Sequence, residues 1–244
     1  MNKDKLVNIF EKYNLNKTIE QACLDIKDKE LKVNFSSPNK DLVGFLTSDI
    51  DLADNNIGIY STSKLLSLLN ITDGELNLSF ETKNRISTKI NISDAHYKLS
   101  YSLADPFIIS KIEEVKEPPN PTVTVDLDQE FIERFLKAKK ALGDESKVVL
   151  TLTYENGVGV IRFILGGNEQ YTNKVQFDFP AEFEKDMYDD YIFSSAYLKE
   201  IFSAHKAAES LQLVFFKEGL LKLVGEEKDA NLKVIYYILK ENEE

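Results

Sequence analysis

The stretch Asp128–Leu142, DQEFIERFLKAKKAL, carries two patterns at once. Phe131, Ile132, Phe135, Leu136 and Leu142 recur at helical spacing, an apolar stripe that implies one buried face. Asp126 or Asp128 stands ahead of it as an N-cap. The opposite face carries Arg134, Lys137 and Lys140, with Lys139 adjacent. Three more segments repeat this design. Lys3–Tyr13 places Leu6, Ile9, Phe10 and Tyr13 in phase. Thr62–Leu69 does so with Leu65, Leu66 and Leu69, behind Ser61 or Thr62. Ser195–Ala208 uses Leu198, Ile201, Phe202 and His205, behind Ser194 or Ser195.

These helices begin near positions 3, 62, 128 and 195, at nearly even intervals. Between them the chain reads as strands: Ile19–Ile26, Leu31–Phe35, Leu76–Phe80, Tyr97–Leu103, Val148–Tyr154, Val158–Leu165, Leu211–Phe216 and Leu232–Leu239 are rich in β-branched, leucine and aromatic residues, many in alternation. Short turns lie at Asp28-Lys29, Asp73-Gly74, Asn156-Gly157 and Glu218-Gly219, and Asn156-Gly157 is the strongest hairpin signal. A helix followed by strands, used four times, is the expected organisation. Ala104–Pro121, ADPFIISKIEEVKEPPNP, contains Pro106, Pro118, Pro119 and Pro121, which exclude both a continuous helix and a central strand. The expected division is therefore a domain over 1–105, a connector over 106–121 and a second domain over 122–244, each an α+β domain with two helices packed on antiparallel sheet.

The composition is that of a globular protein, 43% hydrophobic and 29% charged. No run approaches the ~18 apolar residues of a membrane span, and the charged start MNKDKLVNIFEKYN is not read as a signal peptide. Cys23, the single cysteine, excludes an internal disulfide or cysteine metal cluster and fits a reducing cytoplasm. The net charge of −11 argues by itself against a nucleic-acid partner. Its acid is clustered, though, in Glu182–Asp190, Glu226–Asp229 and Glu241–Glu244.

Against that background the helix faces stand out. The first presents Lys5, Asn8 and Lys12, the second Ser63, Lys64 and Ser67, the third Arg134, Lys137 and Lys140, the fourth Lys199, Ser203 and Lys206. Asp4, Glu130, Glu133 and Glu200 dilute them. One such face is an ordinary solvated surface, but four in an acidic chain suggest a basic strip. Lysine prevails, and the only arginines are Arg85, Arg134 and Arg162. Lysine meets phosphate as a point charge, whereas arginine reads guanine edges. The strip therefore points to sequence-independent, salt-sensitive contact with a nucleic-acid backbone.

With these features the chain resembles the sliding clamps of T-even-like bacteriophages and, more distantly, eukaryotic and archaeal PCNA. The likeness in organisation covers essentially the whole chain. Locally, Leu103-Ala104-Asp105-Pro106 is similar to a stretch of the phage clamps at the domain junction. Asn231–Leu239 followed by acid resembles the last strand and tail of PCNA, and Asp128–Gly143 looks like the first helix of a second clamp domain. The resemblance implies a homotrimeric ring encircling double-stranded DNA, with Lys5, Lys12, Lys64, Arg134, Lys137, Lys140, Lys199 and Lys206 facing the duplex. It implies DNA polymerase and a clamp-loader ATPase as partners, their tails docking on Phe107, Ile109, Tyr237 and Leu239, though these could equally be core or linker residues. Ring closure would pair the edge strands Tyr97–Leu103 and Tyr171–Phe179, through Tyr97, Leu99, Tyr101, Val175 and Phe177. Asp178 would then need a rim position or a partner. It further implies a place in viral DNA replication in the host cytoplasm, as related phage clamps also assist transcription.

No catalytic signature competes with this reading. Gly157-Val158-Gly159 and Gly166-Gly167 lack the lysine and spacing of a P-loop. His96 and His205 are far apart and form no HExxH, and His205 falls near an apolar edge as a packing residue. There is no GxSxG, and Cys23 lies in an alternating run. The protein is not expected to be an enzyme or to need a metal or cofactor. The alternatives are a β-rich phage structural (virion) protein, which does not predict four basic-faced helices, and a single-strand binder. The latter should interleave aromatic with basic residues, whereas the phenylalanines and tyrosines here fall mostly in apolar phase.

Overall fold

The chain alternates helices with strands in a regular order. They are α1 (Lys3–Asn14), β1 (Ala22–Lys27), β2 (Glu30–Ser36), β3 (Leu42–Asp49), β4 (Asn55–Ile59), α2 (Thr62–Leu69), β5 (Asn77–Lys83), β6 (Ile86–Ser93), β7 (Lys98–Ser102), β8 (Val123–Leu127), α3 (Gln129–Leu142), β9 (Lys147–Glu155), β10 (Val158–Gly166), β11 (Lys174–Pro180), β12 (Asp190–Ser194), α4 (Ser195–Ala204), β13 (Ser210–Phe216), β14 (Leu220–Glu227) and β15 (Leu232–Leu239). The computed structural model describes residues 1–109, 112, 114–143, 145–167, 173–183, 190–206 and 210–241. Two compact units result, 1–114 with 226–235, and 115–225 with 236–244.

Each unit is built from two β-α-β-β-β repeats that exchange their leading strands. In the first unit β4 leads α2, yet pairs with β1 of the preceding repeat, Ala22 opposite Ile59. Residues 1–3 lead into α1 and lie antiparallel to residues 74–76, just ahead of β5. Asn2 bridges Glu75, Lys3 N–H donates to Gly74 O and Leu76 N–H to Met1 O. In the second unit β12 leads α4 and pairs with β9, Tyr191 opposite Leu150. Reciprocally β8 leads α3 and pairs with β13, Val125 opposite Leu213. The strand orders are β4-β1-β2-β3 and β5-β6-β7 in the first unit, and β12-β9-β10-β11 and β8-β13-β14-β15 in the second. Leu232–Ile235 belongs to the first unit and extends its sheet beyond β3.

The helices end where local chemistry stops them. Asn2, Asp128 and Ser194 each accept a backbone N–H in the first turn of α1, α3 and α4, caps worth about 1 kcal/mol apiece. Ser61 caps α2 without a side-chain bond. The fourth helix, expected to reach Ala208, stops at Ala204. His205 is its C-cap at φ −107°, ψ 13°, and Ala208 lies outside the described residues. The run expected from Ile19 starts as a strand only at Ala22, because Asn14 takes Ile19 for itself: its side chain donates to Ile19 O and its carbonyl accepts from Ile19 N–H. Two-residue turns with both φ positive join β1 to β2 at Asp28-Lys29 and β9 to β10 at Asn156-Gly157, the hairpin geometry that matches strand twist. A third turn of this kind, Asn84-Arg85, joins β5 to β6.

The apolar stripes of each helix pair lie against sheet. In the first unit Tyr13 packs near Phe10 and Phe35, ring centroids 5.9 Å from each, and its hydroxyl meets Thr62 Oγ1 at 3.1 Å. In the second, Phe131 sits 4.9 Å from Phe163, 5.6 Å from Phe177 and 5.2 Å from Phe179, and Phe135 lies 4.8 Å from Phe202. Such pairings add to burial, and this aromatic cluster fixes α3 on β10 and β11. Cys23 is in the core, its thiol donating to Pro106 O. His205 is fully buried, hydrogen-bonded through Nε2 to Tyr236 O–H at 3.0 Å. No described helix is long and apolar enough to cross a membrane.

Candidate nucleic-acid interface

The helix faces opposite the sheets carry the expected lysines unequally. On α3 and α4, Arg134, Lys137, Lys140, Lys199 and Lys206 are all exposed. Arg134 and Lys137 pair with Glu130 and Glu133 one turn earlier, at 3.8 and 3.2 Å, and Lys199 pairs with Glu200 at 2.8 Å. Lys140 and Lys206 form no ion pair with a described residue. Lys139 is turned inward, only 7% exposed, and donates to Gly143 O and Glu145 O. It thereby satisfies carbonyls at the C-terminal end of α3.

On the first pair of helices Lys64 is exposed and Lys5 half-buried. Lys12, expected to face DNA, does not reach solvent. It is 2% exposed, and its ammonium meets Glu227 Oε1 at 2.6 Å. Asn8 holds the other carboxylate oxygen, Nδ2 to Oε2 2.7 Å. Glu227 lies in the 226–235 segment of the same unit, which covers this flank of α1. Ser63 is also engaged, giving its N–H and hydroxyl to the Glu20 carboxylate.

Among the described residues both strands assigned to ring closure lie at sheet edges, β7 beside β6 alone and β11 beside β10 alone. Tyr97 is 46% exposed and Leu99 half-buried. Tyr101 points inward instead, 2% exposed, stacked on Tyr60 at 5.4 Å, accepting from Ser61 N–H and donating to Ser61 O. Burial pushes its hydroxyl up to about 12. Val175 and Phe177 are half-buried, and Phe177 stacks on Phe163 across the ladder at 5.7 Å. Tyr171 lies outside the described residues. Asp178 finds its partner within the sheet, accepting from Arg162 Nε and Nη2, each at 2.9 Å, while Glu155 takes Arg162 as well. These bonds, Asp178's first, raise the guanidinium's already high pKa.

No family model matches the sequence, and no curated protein does. Solved structures do. Over 100% of this chain and 98% of the other, it aligns with A. fulgidus PCNA bound to the C-terminal region of FEN-1, at a TM-score of 0.76 and 16% identity. Proliferating Cellular Nuclear Antigen from Entamoeba histolytica aligns over 99% and 97% at a TM-score of 0.75 and 14% identity. A chain of the PCNA2–PCNA3 complex of Sulfolobus tokodaii aligns over 100% and 98% at 0.71 and 14%. The chain has the PCNA-like clamp fold.

In this clamp fold the four residues assigned to partner docking differ in access. Phe107 is 81% exposed and Leu239 53%, whereas Ile109 at 6% and Tyr237 at 7% are buried. Phe107 and Ile109 belong to the first unit, Tyr237 and Leu239 to the second. Around Tyr237 the second unit holds a small polar cluster that sequence reading missed. Glu117 accepts from both Tyr237 O–H and Lys222 Nζ, and Lys222 lies 5.7 Å from the Tyr237 ring centre. Burial pushes the Glu117 carboxyl up, but the Lys222 and Tyr237 hydrogen bonds outweigh it and hold it below the usual carboxylate value. Nothing in the alternation of Leu232–Leu239 marks that contact. Among the described residues no cluster of histidine, cysteine, aspartate or glutamate is placed to hold a metal.

Proposed function

We propose that this chain is a sliding-clamp subunit that closes with two further copies into a ring around duplex DNA and tethers a DNA polymerase, with no chemistry of its own. The observation that carries the reading is the clamp fold over the full chain, combined with exposed lysines on the outer faces of its helices in a protein of net charge −11. A tether needs only to raise the local concentration of polymerase at the primer end. Backbone contacts by lysine are independent of sequence and so permit sliding. The working division is 1–105, a 106–121 connector and 122–244. Ring closure is assigned to β7 of one copy against β11 of the next, both open edges among the described residues. Head-to-tail pairing of this kind closes a ring when the rotation permits.

Docking of polymerase and clamp-loader tails is assigned to Phe107, Ile109, Tyr237 and Leu239. The FEN-1 C-terminal region on A. fulgidus PCNA supports a short peptide as the ligand, and the exposed Phe107 supplies apolar surface for it. The setting is a bacteriophage replication system in the host cytoplasm, a reading supported by the likeness of the Leu103–Pro106 stretch to the phage clamps, with viral transcription as a further role.

Molar mass by light scattering after size exclusion comes first. A species near three times 27.9 kDa, about 84 kDa, is expected at micromolar concentration. Retention on nicked circular DNA after loading, with loss on linearising the circle, is expected next. A monomer at every concentration removes the ring.

A further inference from the structure

The two helix pairs occupy equivalent places in their units, yet they offer phosphate very different surfaces. Resting on the clamp reading, we infer that the DNA backbone is gripped at one place per chain, the cleft between α3 and α4, with Lys140, Lys199 and Lys206 as the phosphate contacts, and that the α1–α2 face contributes little.

The cleft encloses about 700 Å³, and Lys139, Lys140, Lys199, Ser203 and Lys206 line it. Its wall includes the C-terminal end of α3, where unsatisfied carbonyls would repel an anion. Lys139 offsets that effect by placing its ammonium there, donating to Gly143 O and Glu145 O just beyond the helix. The ammonium groups of Lys140 and Lys206 are exposed and form no ion pair with a described residue, and the Ser203 hydroxyl is exposed beside them. Two acids share the cleft. Glu200 is tied to Lys199, and Glu145 accepts from Lys147 N–H. Four lysines against two carboxylates leave a local excess of positive charge in the cleft.

The α1–α2 face has spent the equivalent groups internally. Lys12 and Asn8 are both held by Glu227, Lys3 Nζ donates to Thr72 O at 2.6 Å, and Ser63 is held by Glu20. Lys5 and Lys64 remain, on separate helices. Asp4 and Glu11, both exposed on α1, offset them. Two isolated lysines against two acids give no net attraction, and contact at high dielectric is weak.

The test removes two charges from either face of the full-length chain. Lys140→Gln/Lys206→Gln and Lys5→Gln/Lys64→Gln change the net charge equally, so only location differs. Binding to a fluorescein-labelled blunt duplex is followed by anisotropy across a range of low salt. The first double variant is expected to lose roughly tenfold or more in affinity and, for each chain that touches the duplex, about 1.8 from the slope of log K against log salt, some 0.9 per phosphate contact. The second is expected to stay within about twofold with its slope unchanged. Equal losses, or a larger loss for Lys5→Gln/Lys64→Gln, overturn the inference while leaving the clamp intact. A monomer at every concentration, or no retention of the unaltered chain on nicked circular DNA after loading, overturns the clamp reading itself. All four lysines are solvent-facing or nearly so, and an unchanged molar mass for both variants excludes a folding artefact.

Discussion

Replacing Lys12 by methionine separates the two roles that its sequence position allows. The aliphatic stem is kept, so packing changes little, and what is lost is the charge at 2.6 Å from Glu227. Breaking a buried ion pair by removing one partner costs about 3–5 kcal/mol, because the other charge is left uncompensated. Glu227 keeps the Asn8 hydrogen bond, and its side chain retains 21% exposure, so part of that penalty is relieved by water. The expected loss is therefore at the low end, about 3 kcal/mol. With a urea dependence of about 1–3 kcal/mol per molar, the unfolding midpoint falls by about 1–3 M. A Lys12→Met/Glu227→Gln double variant recovers most of it, since a neutral partner removes the stranded charge, and the coupling is read from the double-mutant cycle. Duplex affinity should remain within about twofold, and its salt slope unchanged. The opposite pattern, an unchanged midpoint with a slope reduced by about 0.9, would falsify the burial of Lys12 and return it to the DNA-facing set.

Three other expectations follow from particular contacts. Gly225→Ala should destabilise the second unit by about 1–3 kcal/mol by overpacking, because its new Cβ would lie 2.2 Å from His205 Cε1; an unshifted thermal midpoint would contradict it. Asp128→Ala should cost about 1 kcal/mol by freeing the Phe131 N–H at the start of α3, visible as a lower urea midpoint, with Asp128→Asn nearly neutral. Glu117 has a folded pKa held below its ordinary value, so the stability it supplies is present above its unfolded pKa, near the ordinary 4.5, and is lost as pH falls through the lower folded value. Glu117→Gln should flatten that part of the acid stability profile, and an unaltered profile would show that Lys222 and Tyr237 do not hold it.

Features that were legible in the sequence are those decided within one turn or one hairpin. Thr62–Leu69 and the α3 stripe are visible because apolar spacing sets which face packs, and Asp128 and Ser194 because a cap acts over three residues. His205 kept the period and so led the reading of α4 too far; its place is fixed by Tyr236, in another strand. β4 and β12 have five residues each and little alternation to read. They are strands because β1 and β9 pair with them. Lys12 shows the same limit in the candidate site. Its helical phase places it at the flank of the apolar stripe, and what settles its burial is Glu227, whose contact with neighbouring Asn8 spans 219 positions. Likewise β7 and β11 could be chosen as edge strands by their place in each half. That Tyr101 and Phe177 point into their own unit depends on the neighbours Ser61 and Phe163.

The even spacing of the four helices has a structural cause in the exchanged leading strands. A single β-α-β-β-β repeat cannot pair its own first strand: β4 finds β1, and β12 finds β9, only in the repeat before. The preceding repeat has the same need, met in return by residues 1–3 on residues 74–76 just ahead of β5 and by β8 on β13. One repeat would leave a leading strand with unpaired backbone groups and a helix with no companion over its apolar stripe, a poor independent fold. Two repeats satisfy each other and bring α1 beside α2, or α3 beside α4. The smallest self-sufficient body is therefore a pair. Because each member must reach the other's sheet, their lengths stay similar even where their sequences do not. The constraint acts on strands and core, and it leaves the outer helix faces free to diverge. That freedom allows one pair to bury Lys12 against Glu227 and the other to keep Lys140 and Lys206 open to solvent within the same fold.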